Sequence, residues 1–184
     1  MEANKWDMVD SYDKAWIKRA EFALNLLPDD IHKIFEFGCG PYLGISKLLD
    51  SGFYYQGSDR ISWTKEAISI DLEDRDWEKN GVFANKDFDV AVLLGVLEYV
   101  SDAPAFIRKA GSLFPNLLLS YCTKNDGAII DERRNNGWVN DFSLIEVIEF
   151  LGSNSWIIKT ATLYEDFHNF RQYVFFVSKE GKNG

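Results

Sequence analysis

The sequence predicts an α/β fold, a mostly parallel sheet with helices on both faces and an antiparallel strand pair at its end. Short apolar, β-branched runs alternate with stretches whose apolar residues recur at helical spacing. One run, Asp89 to Leu94, is continuously apolar after its first residue, as a central parallel strand covered on both faces requires. The last two runs flank a short connection and close the sheet. With 184 residues and 46% apolar content the chain suits one domain, 1–184, around one core. No linker, repeat or low-complexity segment divides it.

The elements follow in order. Ala15, Phe22, Ala23, Leu26 and Leu27 lie at helical spacing from Asp13 to Leu27, and Pro28 with two aspartates stops the pattern, so residues 1–30 form an N-terminal helical segment. Ile31 to Phe37 is a strand ending in Gly38-Cys39-Gly40-Pro41, and Ile45, Leu48 and Leu49 continue as a helix to Gly52. Phe53 to Gly57 is the second strand, ending at Ser58-Asp59, and Ala67 to Ile70 the third, ending at Asp71. Asp89 to Leu94 is the fourth, Ala103 to Phe114 a helix and Leu117 to Tyr121 the fifth strand. Phe142 to Leu151 is helical, and Trp156 to Leu163 and Tyr173 to Ser178 are the final strands.

Composition removes several functions. A net charge of -9 opposes general affinity for phosphate backbones, so nucleic acid is not an expected partner. Cys39 and Cys122 stand far apart with no CxxC pattern, which signals neither a disulfide framework nor a zinc site; two buried, reduced thiols and no metal are expected. Nowhere do about 20 apolar residues run together, so no membrane span is expected and the default location is cytoplasmic. The 14 Phe, eight Tyr and six Trp mostly fill the core, with a flat-ligand pocket as the alternative use.

In parallel sheets ligands bind outside the carboxyl ends of the strands, where the acids and glycines of this chain fall. Gly38 and Gly40 remove side-chain bulk where the chain turns, which suits any nucleotide. The dinucleotide pattern G-x-G-x-x-G, however, needs glycine at position 43, where Leu43 stands, with Gly44 one place late. Glu36 beside that turn repels a pyrophosphate and favours a ligand carrying an ammonium and a sulfonium. No Gly-Lys-Ser or Gly-Lys-Thr follows, which excludes a P-loop.

These residues resemble the class I S-adenosylmethionine-dependent methyltransferases, whose first motif is Glu-x-Gly-x-Gly, here Glu36-Phe37-Gly38-Cys39-Gly40. The resemblance extends through Gly57-Ser58-Asp59, Asp71-Leu72 and Leu94-Gly95-Val96-Leu97-Glu98-Tyr99-Val100, and covers residues 31 to 125. It implies a Rossmann-like, seven-stranded sheet and S-adenosylmethionine as cofactor, with S-adenosylhomocysteine as product. It also places Glu36 and Gly38 by the methionine end, Gly40 among the cofactor-binding residues and Asp59 on the ribose hydroxyls. Asp71 is then on the adenine amino group, Leu72 against the ring and Gly95 beside the cofactor. The chain departs from the family pattern at Tyr42, where many relatives have a third glycine, and at Tyr99, where many have histidine. Asp59 and Asp71 also suit turns for their own hydrogen bonding, Gly95 also suits a strand end, and a structural role for Glu36 must meet the cost of a buried carboxylate.

A sulfonium already activates its methyl group, so the protein's main task is positioning, with a general base for a hydroxyl acceptor. The two histidines are His32, at the wrong end of the sheet, and His168, between the last strands on the active face. His168 and Tyr99 are the candidate bases, and Glu98 and Tyr121 the others of that kind. Residues 122–141 are expected as an acceptor-side loop, since about 20 residues after a strand is long for a compact domain. Arg133, Arg134, Asn135, Asn136 and Trp138 there suit a hydroxyl-rich or acidic acceptor through hydrogen-bond forks and ring stacking; a solvated charge run is the plain alternative. The stretch is loosely similar to methyltransferases associated with bacterial surface polysaccharide. Asn140-Asp141-Phe142-Ser143 reads as helix capping, and Tyr12 and Trp16 as aromatic residues able to fold over the cofactor, with core packing the equal alternative for Trp16. The expected activity is O-methylation of a sugar, glycan or other small molecule. A cofactor-binding but catalytically silent module is the alternative, and Leu43 and Glu36 disfavour a nucleotide-binding oxidoreductase.

Overall fold

The computed structural model describes residues 14–41, 44–84, 87–125, 128–167 and 170–179. Seven strands form one sheet: β1 (Lys33–Phe37), β2 (Tyr54–Asp59), β3 (Ile68–Ser69), β4 (Val90–Leu94), β5 (Asn116–Lys124), β6 (Trp156–Asp166) and β7 (Phe170–Lys179). Their order is β3-β2-β1-β4-β5-β7-β6. The first five pair in parallel, and β7 runs antiparallel to both β5 and β6. The α-helices among the described residues are α1 (Lys14–Leu24), α2 (Ala103–Leu113), α3 (Ile130–Asn135) and α4 (Leu144–Ser153).

Side-chain alternation along the strands divides the apolar residues between two layers. Ile34, Val90, Val92, Leu118 and Val174 face α1, which contributes Ala20 and Ala23. Phe35, Phe37, Leu93, Leu117, Leu119 and Phe175 face α2 and α4 on the other side. The continuous apolar run of β4 is thereby explained, because Val90 to Leu93 are fully buried. In the second layer Phe35, Phe37, Trp77, Phe83, Phe88, Phe106 and Phe114 pack ring against ring at 4.8–6.5 Å between centroids, so much of the aromatic content is core. Cys39 and Cys122 are buried and free.

Beyond shifts of bounds at β3, β6 and β7, three elements differ from expectation. The helix expected up to Gly52 is a single 3-10 segment, Gly44–Leu48. Asp50 turns its side chain onto the Gly52 amide instead of continuing a helix, and the Tyr54 amide already donates to His32 O at the foot of the sheet. Second, β5 runs on through Cys122, Thr123 and Lys124, because β7 supplies Gln172, Arg171 and Phe170 as ladder partners. Third, the stretch expected as loop contains α3. At α4 the capping box between Ser143 and Glu146 is formed, as the sequence suggested for Ser143.

Candidate functional site

The carboxyl ends of β1, β2 and β4 lie side by side, and the loops leaving them build the site. Glu36, the penultimate residue of β1, is buried and points toward α1's side of the sheet. The Ile45 amide donates to its Oε2 at 3.1 Å and the Tyr55 hydroxyl at 2.6 Å. This carboxylate therefore clamps the far end of the glycine loop to β1 and β2. Gly44 meets it with φ +43°, and a Cβ there would lie 2.3 Å from both carboxylate oxygens. The glycine that falls one place late for a dinucleotide pattern is thus the seat of Glu36. Burial pushes the Glu36 carboxyl up to about 7, against the lowering effect of its two hydrogen bonds; Asp59 raises it further and Arg19 lowers it.

Gly38, exposed, follows the last residue of β1, and the Gly40 amide donates to Asp59 Oδ2 at 2.9 Å across the gap from β1 to β2. Asp59 is half-buried, and its other oxygen has no hydrogen bond among the described residues. At the end of β4, Gly95 takes φ +73° and donates its amide to Ser120 Oγ at 2.8 Å. A Cβ at Gly95 would stand 2.9 Å from the Arg19 guanidinium, which reaches over from α1 and donates to Leu94 O at 2.9 Å. Arg19 Nε is buried and without a hydrogen-bond partner among the described residues. The sequence reading missed Arg19. One arginine on a helical stretch carries no signal of its own, and only the packing of α1 across β4 brings it here.

Further along, Asp71 is exposed after β3, where its Oδ1 accepts the Glu73 amide at 3.0 Å, and Leu72 packs against the second core layer. Asp71 lines a shallow depression with Ser69, Ile70, Asp74 and Trp77.

Beyond β4 and β5 the segment from Ala128 to Phe142 is bonded inward. Arg133 is almost wholly buried: its Nε donates to Asp141 Oδ1 at 2.7 Å and its Nη2 to Cys122 O at 3.0 Å, with the guanidinium 4.6 Å from the Trp138 ring. Arg134 donates to both oxygens of Asp141 and to Trp138 O. Asn140 donates to Leu97 O and Val100 O, and Tyr121 donates to Asn140 Oδ1 while accepting the Phe142 amide. The arginines expected to meet an acceptor are therefore staples of the loop, and Asn140 and Asp141 anchor it rather than cap α4. Tyr99 donates to Asn136 O at 3.2 Å and accepts the Trp138 indole N–H at 3.1 Å, and burial raises its phenol. Glu98 is buried with Oε1 accepting the Cys122 amide; burial raises its carboxyl too. His32 is exposed beside Phe53 at the opposite end of the sheet. His168, Tyr12, Tyr42 and Leu43 lie outside the described residues, and Trp16 is half-buried on α1. Among the described residues no group of three or more His, Cys, Asp or Glu could hold a metal ion, and no helix is long and apolar enough to cross a membrane.

A seven-stranded sheet of this order, with an acid, glycines and a second acid at adjoining carboxyl ends, defines the Rossmann-like fold of class I methyltransferases. A family model described as a methyltransferase domain matches residues 10–157, and the chain belongs to that family. Solved structures agree in fold. The magnesium protoporphyrin IX methyltransferase of Synechocystis PCC 6803, with bound SAH, is 16% identical over 91% of this chain and 83% of its own, with a TM-score of 0.63. The 1,6-didemethyltoxoflavin-N1-methyltransferase of Burkholderia thailandensis, with bound 1,6-didemethyltoxoflavin and S-adenosylhomocysteine, is 15% identical over 92% and 80%, with a TM-score of 0.66. The N-terminal domain of EvdMO1, in the presence of SAH and D-fucose, is 12% identical over 91% and 84%, with a TM-score of 0.63. No curated protein matches the chain.

Proposed function

We propose that this chain transfers the methyl group of S-adenosylmethionine to an oxygen or nitrogen atom of a small-molecule acceptor. The observation that carries the reading is the charge order along the carboxyl ends of β4, β1 and β2, from the Arg19 guanidinium past Glu36 to Asp59. An amino-acid end, a sulfonium and a ribose need a cation, an anion and a hydroxyl acceptor in that sequence. Arg19 takes the methionine carboxylate with its guanidinium, which stands beside Gly95 at the end of β4. Glu36 holds negative field toward the ammonium and sulfonium through its clamped position. Asp59 offers its remaining oxygen to the ribose, and Asp71 and Leu72 take the adenine end. When bound, the cofactor supplies an electrophilic methyl group. Gly38, Gly40 and Gly95 leave the space this requires at the strand ends.

Of the residues from which a sugar or glycan acceptor is expected, Arg133, Arg134 and Trp138 are bonded within the fold, while Asn135 is exposed and Asn136 half-buried. The likeness to the EvdMO1 domain, solved in the presence of SAH and D-fucose, also speaks for it. Tyr99 acts as a pillar of the acceptor wall rather than as the base, because its hydroxyl already donates and accepts within the fold.

The test is calorimetric titration of the chain with S-adenosylmethionine, S-adenosylhomocysteine and NAD. Binding of the first two without NAD supports the reading, and absence of both removes it. Binding with no transfer to any acceptor selects the catalytically silent module instead.

A further inference from the structure

We infer that Ser120, a buried hydroxyl of β5, is the positioning residue that sets the Arg19 guanidinium for the amino-acid end of the cofactor; this rests on the carboxylate role proposed for Arg19. Ser120 interrupts the buried run Leu117–Cys122 and is itself wholly shielded from solvent. A hydroxyl in such a place costs free energy unless it is bonded. Alternation along β5 puts it on the same face as Leu118, which packs in the layer of α1, and Arg19 comes from α1.

Pairing of β4 with β5 ends at Leu94, opposite Ser120. The next residue, Gly95, turns away at φ +73°, and its amide donates to Ser120 Oγ at 2.8 Å. The carbonyl of that same peptide group, Leu94 O, accepts Arg19 Nη2 at 2.9 Å. A trans peptide is planar, with its carbonyl and its amide pointing opposite ways. The Leu94–Gly95 peptide is therefore held from both sides, and fixing its amide on Ser120 aims its carbonyl at the guanidinium. Glycine tolerates either sign of φ, so the backbone alone does not select this orientation. Arg19 depends on it, because among the described residues the guanidinium makes no other hydrogen bond. It also lies against Gly95, where a Cβ would come 2.9 Å from Nη1 and 3.0 Å from Nη2. A long side chain tethered at one point takes its direction from that tether, and a turned peptide would return it to many rotamers.

The experiment titrates S-adenosylhomocysteine and methylthioadenosine, which lacks the amino-acid end, into the wild type, Ser120→Ala, Ser120→Cys, Arg19→Ala and the double variant of Ser120→Ala with Arg19→Ala. Denaturation midpoints are recorded for each. Ser120→Ala should weaken S-adenosylhomocysteine about fivefold, the factor of one net hydrogen bond, and methylthioadenosine by less than about twofold. Ser120→Cys, whose sulfur is a weak acceptor, should fall between it and the wild type. In the Arg19→Ala background Ser120→Ala should change S-adenosylhomocysteine affinity by less than about twofold, because the group it acts through is gone. Equal weakening of both ligands, full additivity of the two substitutions, or unchanged S-adenosylhomocysteine affinity in Ser120→Ala overturns the inference. If Ser120→Ala does not fold, Ser120→Cys carries the same comparison, and if neither folds the hydroxyl serves the fold and not the ligand. A wild type that binds neither ligand defeats the proposed methyl transfer and this inference with it. When the wild type binds both, Arg19→Ala loses S-adenosylhomocysteine alone and Ser120→Ala matches the wild type, only the role of Ser120 falls.

Discussion

Glu36 makes cofactor binding depend on pH in a way its amide analogue cannot. Burial raises its carboxyl to about 7, so near pH 6 the free site is mostly protonated. A ligand carrying an ammonium and a sulfonium favours the ionised form, so binding at low pH must expel that proton. With a value of about 7, the protonated fraction weakens binding by roughly elevenfold near pH 6 and hardly at all near pH 8, so affinity rises about tenfold across that interval. The ligand's own ammonium also titrates, but equally for Glu36→Gln, so the ratio of the two profiles isolates the carboxyl. Calorimetry in buffers of different ionisation enthalpy counts the protons directly. The wild type should release close to one proton near pH 6 and almost none near pH 8, and Glu36→Gln none of this component. Equal proton release from both proteins would refute the reasoning. The sign for folding is opposite. A raised carboxyl binds its proton more tightly in the folded chain, so unliganded stability is greatest below the ordinary carboxylate range. It falls as pH rises to about 7, by on the order of 3 kcal/mol at most.

Three further outcomes follow from the same geometry. Arg19→Ala should weaken S-adenosylmethionine and S-adenosylhomocysteine by at least roughly tenfold while leaving methylthioadenosine, which lacks the amino-acid end, unchanged; parallel loss of all three in titrations would deny it a role at the carboxylate. Asp59→Ala should lower cofactor affinity by roughly tenfold or more but cost folding only about 1 kcal/mol, the value of the Gly40 amide bond. Equal losses in binding and denaturation would sink the ribose assignment. Arg133→Ala removes a buried cation that ties Cys122 O to Asp141 and should cost about 3 kcal/mol by chemical denaturation. An unaffected midpoint would mean the loop is not stapled through it.

What the sequence disclosed was chiefly local. The run through β4 is apolar because both its faces are covered, and that condition leaves a direct print on composition. Glu36, the glycines and Asp59 stand at strand ends, and strand ends are readable from where apolar runs stop. The shortened helix after Gly44 was not readable in the same way, because Ile45, Leu48 and Leu49 have the right spacing whether the segment makes one turn or three. Its length was decided by how soon Tyr54 had to reach the sheet. Arg19 went unnoticed in the sequence, and Arg133 was expected to meet an acceptor. Charge near a predicted cleft says nothing about direction, and a guanidinium on a long side chain can serve the ligand or the fold with the same residue name. Arg133 finds Asp141 eight residues on and Cys122 eleven back, partners that no periodicity announces.

The structural and functional readings of Glu36 are not rivals. A carboxylate free to move would follow its own hydration and carry little field to the strand ends. Pinned by the Ile45 amide and the Tyr55 hydroxyl, with Gly44 pressed against it, it has one position, and desolvation there makes its charge unfavourable until a cation arrives. The same burial that weakens the unliganded fold above the carboxylate range strengthens the site's preference for a cationic ligand over a phosphate. Tyr55→Phe separates the two effects. It removes one restraint while leaving the acid, so the Glu36 carboxyl should rise further, because the lost hydrogen bond favoured the ionised form. The pH at which cofactor binding gains strength should rise with it. An unshifted profile in Tyr55→Phe would mean that the ionisation of Glu36 is not what the ligand reads.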